Sequence, residues 1–156
     1  MARRVKVPLA AVWVGAAVLA GCTLASRQMS AGAVRSNLIM QLDSVQQAQA
    51  AALALWDRVI FGEAVSCQEA IPVPEPVTVA AHDLSAYPQT GAIQARLNAA
   101  IQAVRDSSDL WNAECASEQP FVPLSTAREG RVTALAASAP LAEARQLLAA
   151  WPETNR

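Results

Sequence analysis

The sequence predicts an all-α fold, a small bundle of three helices with the last one broken at Pro140 and a long proline-rich crossover loop between the first two. Apolar residues recur at alternating spacings of four and three along two long stretches, as in a helix that buries one face. Alanine supplies much of the apolar fraction of 53%, and it has the highest helix propensity of all residues. Prolines separate the helical stretches and mark where each must end.

The first helix is expected over about residues 33–61, and Gly62 would weaken it. Its apolar seam consists of Leu38, Leu42, Val45, Gln49, Ala52, Trp56 and Val59. At 1.5 Å per residue the helix would be on the order of 45 Å long. A seam of this length can also serve a coiled-coil dimer, but Gln49 and Ala52 make it weak. We therefore expect a monomer.

Residues 71–90 interrupt the helical pattern. Prolines stand at every second position at Pro72, Pro74 and Pro76, which excludes helix and favours extended or polyproline II backbone. A connection of this length inside a compact domain is unusual and often functional. Two interpretations stay open: a strap whose valines (Val73, Val77 and Val79) cover apolar helix surface, or a recognition segment.

The second helix is expected over about residues 92–116. Its seam consists of Ile93, Leu97, Ile101, Val104, Ser108, Trp111 and Cys115. Thr90 is predicted as its N-cap, because a threonine hydroxyl can accept from the first free amides. Pro120 and Pro123 then predict a turn.

The third helical stretch is predicted to open at Thr126, which forms a capping-box pattern with Glu129. Gly130 weakens its first turns, and Pro140 kinks or restarts it, so that four helical segments can result. Leu141, Leu147, Leu148 and Trp151 face one way in the last piece. Pro152 ends it.

The N-terminus has the pattern of an export signal. A basic group formed by Arg3, Arg4 and Lys6 precedes the uncharged run at residues 7–21, as in a secretory signal peptide. The uncharged run continues to Ser26, and about 20 residues can span a bilayer. A retained membrane helix is therefore a rival interpretation.

The stretch Leu-Ala-Gly-Cys at residues 19–22 favours a lipidated terminus. It resembles the lipobox of bacterial lipoproteins, and the resemblance covers the first 22 residues only. It implies cleavage after Gly21 and a diacylglycerol on Cys22, which would hold the protein on the membrane without a spanning helix. Thr23 is not the aspartate associated with inner-membrane retention. The expected location is the outer membrane of a diderm cell, or the outer face of the membrane of a monoderm cell.

This reading divides the chain into a signal peptide (residues 1–21), a flexible tether (residues 22–31) and a helical-bundle domain (residues 32–156). Without residues 1–21, nine of the 12 basic residues remain against 13 acids, a formal charge of −4. An acidic chain is a poor partner for nucleic acid. Lys6 is the only lysine, so the mature protein has no lysine chemistry.

Cys67 and Cys115 remain once Cys22 is assigned to the lipid, and an even pair in an exported protein predicts a disulfide. An antiparallel helical hairpin would hold the two cysteines about 35 Å apart, far beyond the reach of the bond. The bond therefore predicts that residues 68–91 cross back along the bundle and that the first two helices run roughly parallel.

No group of residues predicts catalysis, a cofactor or a metal site. The neighbours His82 and Asp83 are the only adjacent His-acid pair and are expected to be solvent-exposed loop residues. One histidine and two bonded cysteines cannot form a tetrahedral site. Four acids of the second helix region are expected to form a solvated face: Asp106, Asp109, Glu114 and Glu118.

Each predicted helix carries a tryptophan in its C-terminal part, at Trp56, Trp111 and Trp151. Core packing is the simpler explanation, and an aromatic-lined groove for an apolar ligand or peptide is the alternative. We expect a non-catalytic binding or scaffolding protein, attached to the membrane through Cys22, whose protein partner is unknown. The alternative is a carrier of an apolar small molecule bound in a groove between helices.

Overall fold

The computed structural model describes residues 29–117 and 121–152. This part of the chain is all-α, as predicted, and contains five helices rather than three. They are α1 (Ala31–Ile60), α2 (Ala81–Ala86), α3 (Gln89–Cys115), α4 (Leu124–Leu135) and α5 (Ser138–Ala149). The predicted signal peptide, Cys22 and most of the tether lie outside the described residues. None of the described helices is long and apolar enough to cross a membrane.

Helix α1 begins and ends close to the predicted positions. The Ser30 hydroxyl accepts a hydrogen bond from the Ala33 amide at 3.2 Å and so satisfies one of the free N–H groups of the first turn. Gly62 follows the helix with φ of +80°, a conformation that costs glycine little and reverses the chain. The apolar seam of α1 packs on α3, α4 and α5 of the same chain, so it is not left free for a coiled-coil partner.

Helices α1 and α3 run in the same direction, which confirms the predicted parallel arrangement. Near the start of both helices, the Tyr87 hydroxyl donates to the Met29 carbonyl oxygen at 3.1 Å. Near the end of both, the Trp56 indole N–H donates to the Ser107 hydroxyl at 2.8 Å. We call the region around Met29 and Tyr87 the N-terminal end of the bundle. We call the region around Trp56 and Ser107 the disulfide end.

Helices α4 and α5 return in the opposite direction and complete the bundle. Gln49, in the middle of α1, donates to the Ala134 carbonyl oxygen at 3.1 Å near the end of α4. Arg35, near the start of α1, donates to the Leu148 carbonyl oxygen at 3.4 Å near the end of α5. Gln49, which its spacing places on the apolar seam, therefore links α1 by hydrogen bonds to the junction of α4 with α5.

The proline-rich segment crosses back along the bundle as a strap. Ile71 and Val77 are buried in the core, while Val73 and Val79 are half-buried against it. The Asn98 side chain accepts from the Val77 amide at 2.7 Å and donates to the Val77 carbonyl oxygen at 3.0 Å. One side chain thus replaces both bonds of a missing strand partner, since extended backbone must satisfy its polar groups in some way.

Two local predictions were wrong. Thr90 is not an N-cap: α3 begins at Gln89, and the buried Thr90 hydroxyl donates back to the Tyr87 carbonyl oxygen at 2.7 Å. Thr126 does not open its helix, because α4 begins at Leu124 after Pro123 and has no side-chain cap.

The last helix is broken as predicted, at residues 136–137, just before Pro140. Pro140 is the third residue of α5. There its missing N–H has no intrahelical partner to lose, so the proline is accommodated in the first turn of the restarted helix. The short helix α2, which lies within the predicted loop, was not predicted; at six residues it has too little periodicity to detect.

Candidate functional site

The disulfide end is closed by the bond between Cys67 and Cys115, as the sequence predicted. The two Cα atoms are 5.4 Å apart and the residues are 48 positions apart in sequence. The bond joins the loop after α1 to the last residue of α3. Because those two helices are parallel, it fixes their C-terminal ends side by side.

Beneath the disulfide, two buried tryptophans meet edge to face. The ring centroids of Trp56 and Trp111 are 5.6 Å apart, with an angle of 87° between the planes, an arrangement that aromatic quadrupoles favour. Both side chains are almost completely inaccessible to solvent. Their positions on the seams of α1 and α3 come directly from the predicted periodicity.

Every indole N–H in this pair has an acceptor. Trp56 donates to the Ser107 hydroxyl, which itself donates to the Gly130 carbonyl oxygen at 3.0 Å. Trp111 donates to the Glu69 carbonyl oxygen at 2.7 Å. This matters because a buried donor without a partner is costly.

The backbone of Gly130 packs directly against the indole ring of Trp56. A methyl group built on Gly130 would overlap the ring carbons of Trp56 well inside van der Waals contact. The glycine is therefore required by the close approach of α4 to α1. In the sequence it appeared only as a weak position in a helix.

Charged groups surround the disulfide end. Arg58 forms ion pairs with Glu63 at 3.1 Å and with Glu69 at 2.6 Å. Hydrogen bonds from Arg58 are the main cause that lowers the pKa of the Glu69 carboxyl, and the pKa of Arg58 is raised in return, mainly by Glu69. On the adjoining face, Arg131 of α4 donates to Asp57 of α1 at 2.6 Å.

A cavity of about 460 Å³ opens beside the disulfide. Its apolar walls include Val59, Val65, Trp111, Phe121 and Val122, together with both cysteines. Among the described residues, its charged lining residues are Glu63 and Glu114. A volume of this size lies in the range of small-ligand pockets and also suits inserted side chains of a partner.

Exposed apolar side chains line this cavity or stand within two residues of a lining residue. Phe61 is 80% exposed, Phe121 71% and Leu124 47%. Large aromatic residues this accessible contribute little to folding, and a cluster of them marks an interaction surface. The sequence hypothesis had placed binding on buried tryptophans, whereas the exposed residues are two phenylalanines. Their one sequence signal is that they stand just outside helical seams, at the ends of α1 and of the loop before α4.

Trp151 does not join the other two tryptophans, so the hypothesis of one groove formed by all three was wrong. Trp151 is buried at the N-terminal end, where its ring centroid lies 6.0 Å from that of Tyr87. Trp56 lies 27 residues beyond Met29, on the order of 40 Å along α1. Equivalent positions in successive helices do not converge, because α5 runs opposite to α1 and α3.

The pair His82 and Asp83 was wrongly expected to be a solvent-exposed loop pair. Both residues belong to α2, and the Asp83 side chain is buried at the N-terminal end. Neither carboxylate oxygen has a hydrogen-bond partner among the described residues. The half-exposed His82 ring places its Nε2 atom 3.4 Å from Asp83 Oδ1, close enough for an ion pair when the imidazole is protonated.

The predicted acidic face is divided. Asp106 and Asp109 are exposed, as expected of solvated residues, whereas Glu114 is half-buried beside the cavity. Glu118 lies outside the described residues. Among the residues that the structure describes, no group of three or more histidine, cysteine or acidic side chains is placed to hold a metal ion.

Comparison with known proteins identified no relative of this chain. No protein-family model, no curated protein and no solved structure matches the chain.

Proposed function

We propose that the protein is an exported lipoprotein, attached to the membrane through a lipid on Cys22, and that it acts by binding another protein. The supporting observation is the position of the exposed apolar surface. The two most exposed large apolar side chains of the described residues, Phe61 and Phe121, lie at the disulfide end, whereas the chain enters the bundle at Met29. Helix α1 has 30 residues and separates these two ends by about 45 Å.

This arrangement suits a protein that presents a surface away from the membrane. A lipid at Cys22 would hold the N-terminal end near the bilayer, because only a few residues separate Cys22 from Ser30, the cap of α1. The disulfide end would then face outward. The bond between Cys67 and Cys115 is consistent with export, since disulfides persist in oxidising compartments.

The attachment is tested by metabolic labelling with a palmitate analogue in a bacterial host. The full chain is expected to incorporate the label and to fractionate with membranes. The Cys22→Ser chain is expected to lose both properties, while Thr23→Ser serves as the matched control and keeps them. Label that persists in Cys22→Ser would contradict the proposal.

A second candidate function is carriage of an apolar small molecule, which the 460 Å³ cavity at the disulfide end would hold. Native mass spectrometry of the chain from residue 22, with Cys22→Ser, separates the two. A carrier retains an apolar compound that Val65→Asp releases. A protein that binds another protein shows the mass of the polypeptide alone.

A further inference from the structure

The cavity at the disulfide end combines an apolar interior with negative charge. Its walls are formed by valine, phenylalanine and tryptophan side chains and by the disulfide, and the charged lining residues within the described ranges are Glu63 and Glu114. Among the described lining residues no side chain offers a free hydrogen-bond donor, and the two carboxylates would repel a phosphate. Such walls favour an apolar group for the interior and a cation at the rim.

The negative charge at the rim is only partly neutralised. Arg58 pairs with both Glu63 and Glu69, so one positive charge is shared by two negative ones. Glu114 forms no ion pair within the described part of the chain. One arginine against three glutamates leaves a formal charge of −2 on this group.

One of the two arginines of α4 is already engaged in an ion pair. Arg131 donates to Asp57 at 2.6 Å, and neither Arg131 nor Arg128 of α4 is among the described residues that line the cavity. An acidic rim of this kind attracts basic partners and repels anionic lipid surfaces. The negative charge of the rim therefore favours a basic protein segment over an anionic membrane surface as the occupant of the cavity.

We propose that this cavity binds a protein segment that inserts an aromatic or branched aliphatic side chain flanked by lysine or arginine. The inference rests on the proposed function and specifies the chemistry of the partner. The apolar side chain fills the space between Trp111, Val122 and the disulfide, and Phe121 closes over it. The flanking cations face Glu63 and Glu114 at the rim.

Phe121 lines the cavity, and Phe61 directly precedes the lining residue Gly62. Both side chains are more than two-thirds exposed and are therefore available to contact a bound segment. Aromatic residues beside a concave apolar site are typical of the small set of contacts that dominate binding energy. The disulfide forms part of the wall, so its integrity is required for the shape of the site.

The experiment is selection of a displayed random peptide library on the chain from residue 22 with Cys22→Ser. Enriched peptides are expected to carry Trp, Phe, Leu or Ile next to Lys or Arg. Synthetic versions are then measured by fluorescence anisotropy, and their affinity is expected to fall as salt is raised.

Two pairs of variants locate the binding site. Phe121→Ala and Glu114→Arg are each expected to weaken binding about tenfold or more. Met40→Ala, at a side chain on α1 that is 64% exposed, is the apolar control. Asp43→Arg, at an exposed acid far from the cavity, is the charge control. Both controls are expected to stay within about twofold.

Several results would overturn the proposal. Enriched peptides without basic residues, equal effects of site and control variants, or a library that yields no binder would each do so. Stronger association with phosphatidylglycerol vesicles than with peptides would assign the surface to a membrane. Because the tested chain carries Cys22→Ser, a failure of lipidation leaves this result unaffected, and the two proposals fail separately.

Discussion

The two ends of the bundle each contain an aromatic pair near a buried polar side chain, but they satisfy those polar groups differently. At the disulfide end, Ser107 bonds to both Trp56 and Gly130, and Trp111 bonds to a backbone carbonyl oxygen. At the N-terminal end, Tyr87 packs on Trp151, while the Asp83 carboxylate is buried without a hydrogen-bond partner among the described residues. One end is fully bonded and covalently closed. The N-terminal end instead holds a buried carboxyl group that has no hydrogen bond among the described residues and whose close neighbour is the His82 ring.

This difference predicts how stability is distributed. A satisfied polar network stabilises its surroundings and specifies a single packing. A buried carboxylate without hydrogen bonds opposes folding, because ionisation requires water or a partner. We therefore expect the disulfide end to be the more rigid support, consistent with a binding surface there, and the N-terminal end to open more readily.

Removal of the disulfide has the largest expected effect. The Cys67→Ser, Cys115→Ser double variant is expected to lose about 4 kcal/mol of unfolding free energy, because the bond closes a loop of 48 positions and restricts the unfolded chain. Urea unfolding followed by Trp fluorescence measures the loss. The parent chain in reductant should match the double variant. A loss below about 1 kcal/mol would mean that the bond does not organise the bundle.

The two helical glycines that touch other side chains give a matched test of packing at each end. Gly130→Ala is expected to destabilise the fold by about 1–3 kcal/mol, because its methyl group would overlap Trp56. Gly91→Ala should be neutral or stabilising by up to about 1 kcal/mol, since its methyl group would lie 3.7 Å from Leu84, at ordinary contact distance. Thermal unfolding by circular dichroism measures both. Equal effects would contradict the close packing of α4 on α1.

Substitutions of buried polar side chains at the two ends should change the free energy of unfolding in opposite directions. Ser107→Ala is expected to cost about 1–3 kcal/mol, because it leaves the Trp56 N–H without an acceptor. Asp83→Asn at pH 8 is expected to stabilise the fold by about 1–2 kcal/mol, because a buried amide without partners costs less than a carboxylate. The measurement is urea unfolding at fixed pH. Destabilisation by Asp83→Asn would indicate that the ion pair with His82, whose Nε2 atom lies 3.4 Å from Asp83 Oδ1, outweighs the cost of burial.

The smallest change in stability is expected when an exposed ion pair is removed. Because Arg58 lowers the pKa of Glu69, this pair contributes stability above the pKa of Glu69 in the unfolded chain. The contribution is lost as the pH falls through the lower pKa of the folded state. Arg58→Gln should therefore return the pKa of Glu69 toward its ordinary value, as read from carboxyl carbon shifts in an NMR titration.

The control for that titration is Arg145→Gln, which removes an exposed arginine that makes no ion pair within the described part of the chain. It should leave the Glu69 titration unchanged. An unchanged titration in Arg58→Gln would show that the hydrogen bonds to Glu69 do not persist in solution. Little change in stability is expected, since surface pairs of this kind contribute little.

Much of the fold was predictable because its signals are local and repeated. Leu38, Leu42, Val45 and Trp56 are buried where their spacing placed them, as are Ile93, Leu97, Ile101 and Trp111. The disulfide and the length of the crossover segment together predicted parallel helices, since a bond of fixed length restricts where the chain can go. Short features were missed: α2 is one turn and a half, and the start of α4 lacks the cap that Thr126 suggested.

The binding hypothesis placed on the three tryptophans failed for a related reason. Periodicity shows that a residue faces the core, but it does not show which core residues meet. Trp56 and Trp111 meet because their helices are parallel, and Trp151 lies at the other end because α5 is antiparallel. Exposure of Phe61 and Phe121 likewise depends on what the neighbouring helices leave uncovered.

The sequence by itself determined that the chain is helical, that α1 and α3 are long, that prolines enforce a crossover, and that two cysteines pair. These properties follow from backbone propensity, spacing and chain connectivity. Only the tertiary structure decided that Gly130 is a contact surface, that Asn98 replaces a strand partner for Val77, and that Asp83 is buried. It also decided where the acidic, apolar cavity opens. Such features depend on distances between residues far apart in sequence, and those distances arise only when the helices pack.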